Sequence, residues 1–139
     1  MKIISEGEGA WFLRFDKGDD VVANMLVFAK EKGIAAGHFT VIGACGELTL
    51  SYYCLPDKKY EDHEFNEDLE IVSVTGNIGR LNGEPALHAH GVFGKRDLST
   101  VGGHIKKLII SATGEVYITR VEGEIMRAFD EPTGLNLIQ

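Results

Sequence analysis

The chain has 139 residues, a formal net charge of −7 and an isoelectric point near 5.2. Its 44% hydrophobic and 25% charged residues give the balance of a folded globular protein and exclude a disordered one. The acidic balance disfavours an autonomous nucleic-acid binder, which needs a basic patch or tail; the densest basic clusters are Lys58-Lys59 and Lys106-Lys107.

The length fits a single domain over residues 1–139, large enough to fold without disulfides or metal. A metal would therefore serve function rather than folding. Cys45 and Cys54 each lie in a β-branched or aromatic stretch, and no Cys-x-x-Cys occurs, so they read as a pair of buried free thiols. Met1 to Glu8 lacks the apolar run of a signal peptide, and no stretch approaches the ~20 apolar residues of a membrane span. The cytoplasm is the expected compartment.

Taken in chain order, Trp11 to Phe15 is a short aromatic strand whose Trp11, Phe12 and Phe15 are core candidates. Val22, Met25, Leu26 and Ala29 then repeat at helical spacing. Asp19 is the expected N-cap, and Gly33 can adopt the left-handed conformation that ends a helix, which predicts one helix from Asp19 to Lys32. His38 to Ile42 is β-branched, and Gly43 and Gly46 bracket Ala44-Cys45 as a bulge or sharp bend before a strand from Leu48 to Cys54. A turn at Pro56–Lys59 leads to an edge strand over Tyr60–Phe65, and Leu69–Thr75 alternates as the next strand. Asn82-Gly83 predicts a hairpin returning through Ala86–Phe93. Ile105–Ser111, a turn at Thr113-Gly114, Val116–Val121 and an apolar tail over Leu135–Ile138 complete the chain. The expected fold is α+β: a mostly antiparallel sheet of about seven or eight strands with one main helix packed on it.

The chemistry concentrates in histidines. His88 and His90, one residue apart on a predicted strand, project from the same face. His104 follows Gly102-Gly103, a pair without side chains that lets backbone pass close to a neighbour. Three imidazoles would leave a divalent ion with an open position; zinc is the first candidate, and imidazole also suits copper, nickel and iron. His38 and His63 are isolated in sequence, and Glu70 or Glu115 could add a fourth ligand, a supporting carboxylate or a base. Nothing in the sequence assigns Arg14 or Arg127 to a site. No phosphate-binding glycine pattern and no Gly-x-Ser-x-Gly elbow is present.

The chain resembles the plants-and-prokaryotes-conserved (PPC) domain family, in its stand-alone prokaryotic form. The resemblance runs through Leu13-Arg14-Phe15 with Gly18-Asp19-Asp20, and through Leu69-Glu70-Ile71-Val72-Ser73-Val74-Thr75-Gly76-Asn77-Ile78. It continues in Leu87-His88-Ala89-His90, Gly102-Gly103-His104, and Arg127 with Asp130-Glu131-Pro132-Thr133-Gly134-Leu135. It implies an α+β fold, a homotrimer, and a metal site near a subunit interface around His88, His90 and His104. Plant members carry AT-hooks that bind DNA; this chain has no Arg-Gly-Arg-Pro hook. Two functions follow as expectations: a trimeric domain binding a divalent metal, with a small ligand or a hydrolytic step at the ion, or a DNA-associated regulatory or assembly module. A catalytic residue is not assigned.

Overall fold

The computed structural model describes residues 1–139. It is an α+β fold with one helix, α1 (Val21–Glu31), and nine strands in one mostly antiparallel sheet. The strands are β1 (Lys2–Gly7), β2 (Ala10–Asp16), β3 (Gly37–Cys54), β4 (Lys59–Phe65), β5 (Leu69–Leu81), β6 (Glu84–Gly94), β7 (Thr100–Arg120), β8 (Met126–Asp130) and β9 (Leu135–Ile138). Only β5 and β8 pair in parallel. No helix is long and apolar enough to cross a membrane.

Two strands organise the fold. β3 and β7 pair along most of their length, and each extends where the sequence suggested a break. Thr113-Gly114 is not a turn: it lies inside β7, paired with Phe15 and Asp16 of β2. Gly43–Gly46 is the expected bulge, with register shifts against both β5 and β7, but the strand continues through it. Gly43 has φ of 141°, and a Cβ there would collide with the Thr113 carbonyl oxygen, so the two long strands pair closely where Gly43 faces Gly114 and neither has a side chain.

β3 pairs β5, β5 pairs β6, β6 pairs the first part of β7, and β7 returns to β3, so the four strands form a closed ring of pairings. Closure removes edges from the central strands. β1 and β2 extend from β7, β4 from β3, and β8 with β9 from β5. Inward side chains, among them Phe39, Val74, Phe93, Ile105, Leu108 and Ile118, join α1 in one apolar core.

Helix α1 packs against β6 and β7 through Val21, Met25, Phe28 and Ala29. Its N-cap is Asp20, not Asp19: the Asp20 carboxylate accepts from the Ala23 N–H at 3.2 Å, whereas Asp19 accepts from the Asp16 N–H at 2.9 Å and closes the preceding turn. Gly33, with φ of 63°, ends the helix as expected. Asn82 and Gly83 both have positive φ and form the two-residue hairpin turn between β5 and β6. Trp11 and Phe15 are buried, while Phe12 faces outward and packs on Tyr117. Both cysteines are free; Cys45 is buried, but Cys54 is only half-buried, with its thiol on the Asp57 carboxylate.

Candidate metal centre

β6 alternates as a half-buried strand must. Leu87, Ala89 and Phe93 join the core, which turns His88 and His90 to the outer face. β7 then brings His104 directly opposite His90 on one side and Ser51 of β3 on the other. Close approach depends on the glycine pair. A Cβ on Gly102 would lie 2.9 Å from the Gly91 carbonyl oxygen, and one on Gly103 3.1 Å from that of Ser51.

The three imidazoles form a near-equilateral triangle, with ring centroids 5.0, 5.2 and 5.5 Å apart. One nitrogen from each ring lies within 4.8 Å of the others. Three imidazoles bound to one tetrahedral ion through bonds of about 2.0–2.1 Å would have centroids about 5.2 Å apart. The ring centroids therefore already have the spacing that one ion requires.

Electrostatics agree with that spacing. Burial lowers the His104 pKa to about 4, helped by His88, His90 and Lys106 and opposed by Asp62. His88 is lowered by burial, then by Arg127 and His90. These two rings are neutral at pH 7, the form that ligates a metal. His104 Nδ1 is buried without a hydrogen-bond partner, a state a polar atom avoids unless something else binds it. The donor set fits a borderline ion such as zinc.

Surrounding residues hold the ring of His104 in place. Tyr60 of β4 stacks on it at 5.1 Å with 30° between the planes, and Tyr53 packs on Tyr60 from β3. Lys106 Nζ sits 4.9 Å over the Tyr60 ring and donates to both Asp62 carboxylate oxygens. Buried Ser51 donates to Asp62 at 2.7 Å. Asn77 of β5 stands opposite His88, and its amide oxygen accepts from Arg127 at 2.7 Å.

The carboxylates suggested by sequence lie elsewhere. Glu70 pairs in register with Gly94, four residues along β6 from His90, and Glu115 stands opposite Arg14 and Ile42. The cluster that could hold an ion contains no carboxylate. Arg14 pairs with Asp16, away from the trio. His63 is exposed on β4, opposite Leu50. His38 is nearer than its sequence isolation suggests. Its Nε2 is 3.0 Å from Thr75 Oγ1, and Thr75 stands opposite His90. Tyr60 and Asp62 carry no motif, and only strand register reveals them; Asn77 lies within the Leu69–Ile78 stretch, and its pairing with His88 places it at the site.

Solved structures share this fold. A metal-containing protein of Archaeoglobus fulgidus is 37% identical, covering all of this chain and 99% of its own, with a TM-score of 0.89. A Bacteroides thetaiotaomicron protein, named as a candidate DNA-binding protein, is 32% identical over 97% of this chain and 94% of its own, at a TM-score of 0.93. A plant- and prokaryote-conserved (PPC) protein of Pyrococcus horikoshii is 25% identical over 97% and 93%, at 0.89. No protein of curated function matches. The sequence profile of the Plants and Prokaryotes Conserved (PCC) domain matches residues 4–122, and the chain belongs to that family.

Proposed function

We propose that residues 1–139 form a single domain of the family that assembles as a homotrimer and holds one divalent metal ion through His88, His90 and His104. Zinc is the first candidate. The observation that carries this reading is the triangle of imidazoles with centroids 5.0–5.5 Å apart, supported by the unpartnered His104 Nδ1. An ion held by three neutral imidazoles supplies positive charge and an open position, suited to binding a small ligand or supporting hydrolysis. The chain's own part is to keep His88 and His104 neutral, and to stack on His104 a Tyr60 ring over which lies the Lys106 that Asp62 holds.

Metal analysis of untagged protein tests it. The expected result is about one equivalent per chain in the wild type and loss on His88→Ala with the fold intact; metal-free wild type, or no loss in the variant, contradicts it. Light scattering at three times 15.2 kDa is the expected assembly.

The name given to the Bacteroides thetaiotaomicron relative favours a second reading, a DNA-associated regulatory or assembly module. It predicts DNA retention that weakens steeply with salt. The net charge of −7 weighs against it, and no retention at low salt would rule it out.

A further inference from the structure

The protein has two buried side-chain nitrogens without a hydrogen-bond partner, His104 Nδ1 and Arg127 Nε. One belongs to the histidine trio. The other belongs to a guanidinium brought beside the trio from the far end of the chain. Arg127 lies on β8, donates from Nη2 to Asn77 Oδ1 at 2.7 Å and from Nη1 to the Asn136 carbonyl at 3.0 Å, and Asn77 stands opposite His88. Its charge reaches His88, whose proton affinity it lowers.

Both of those acceptors are neutral. Arg127 takes part in none of the nine ion pairs, which leaves a half-buried cation without an anion in a chain of net charge −7. A buried charge without a counter-charge is costly. Two of its five N–H donors are used, and a planar guanidinium matches a planar carboxylate. The one carboxylate close enough for its charge to be felt at His104, that of Asp62, is already committed to Lys106 and Ser51. With a divalent ion on three neutral imidazoles, the site has an excess of positive charge and no acidic side chain to balance it.

We infer that the ligand of this site is a small carboxylate, held by Arg127 beside the three histidines. The inference rests on the metal-centre reading and assigns Arg127 as the residue that selects an anion. The contrary role for Arg127 is a tether that fastens the β8–β9 hairpin to β5.

Cobalt(II)-loaded protein distinguishes them, with cobalt stoichiometry measured first by equilibrium dialysis and the visible spectrum followed as acetate, oxalate or inorganic phosphate is added. The expected result is a saturable spectral change with a carboxylate, and weaker binding of phosphate. Arg127→Met should keep full cobalt stoichiometry while weakening carboxylate binding at least about tenfold, and Arg127→Lys, which keeps the charge and loses the fork, at least about threefold. If the wild type takes up no cobalt, the metal-centre reading and this one both fall. Normal cobalt uptake with no carboxylate effect, equal carboxylate affinity in wild type and Arg127→Met, or tighter binding of phosphate than of any carboxylate overturns this inference alone. Loss of cobalt or of folding in both variants makes Arg127 the tether and also overturns it.

Discussion

The two faces of β6 show opposite solutions to the same backbone. Inward, Ala89, Gly91 and Phe93 are buried against α1 and the other ring strands, and their environment is settled by packing alone. Outward, His88 and His90 meet His104, and beside them lie the two buried side-chain nitrogens that the protein leaves without partners. The inner face leaves no polar side chain unpaired, and the outer face does. Packing and polar chemistry therefore alternate along one strand, residue by residue, because side chains alternate across a sheet.

Substitutions can break that contrast. The largest effect belongs to the inner face: Phe93→Ala, at a fully buried position, should cost about 3–5 kcal/mol in urea unfolding. A cost under about 1 kcal/mol would show the inner face to be loosely packed.

Acid should act next, and through the outer face. In metal-free protein the folded His104 pKa is about 4, below an unfolded value of about 6.5. The unfolded chain then binds more protons between those values, so stability falls as pH drops from about 6.5 toward 4. His88, lowered in the same direction, adds to the loss. The combined loss is on the order of 2 kcal/mol after allowing for partial exposure. His104→Asn should flatten much of the slope in thermal melts; an unchanged slope would place the acid sensitivity elsewhere.

His90→Ala sharpens the contrast from the other side. It should change the stability of metal-free protein by less than about 1 kcal/mol, yet weaken metal binding at least about a hundredfold. The smallest effect is expected at Lys30→Ala. It removes an ion pair with Glu84 in which both side chains are about two-thirds exposed, so denaturant melts should barely shift.

Legibility in the sequence follows the same division. Local signals read well: the helix and its closing Gly33, the Asn82-Gly83 hairpin and the Gly43–Gly46 bulge are where their residues demand them. The trio was legible because His88 and His90 share a face by strand periodicity and Gly102-Gly103 marks a close approach. β1 was not, since all six residues are exposed and no alternation marks it. The continuity of β3 and β7 was hidden because Gly43 and Gly114, read as a bend and a turn, pair with each other, a relation between positions about 70 residues apart. Arg127 reaches Asn77 across 50 residues through a hairpin whose β8 has no clear pattern, so its place beside His88 arises only from tertiary pairing.

The most direct test of the central claim is anomalous diffraction from crystals of zinc-loaded protein, collected on either side of the zinc absorption edge. The account predicts one anomalous peak per chain, within about 2.0–2.1 Å of a nitrogen from each of His88, His90 and His104. A peak at other residues, or none with zinc in the crystal, would contradict it.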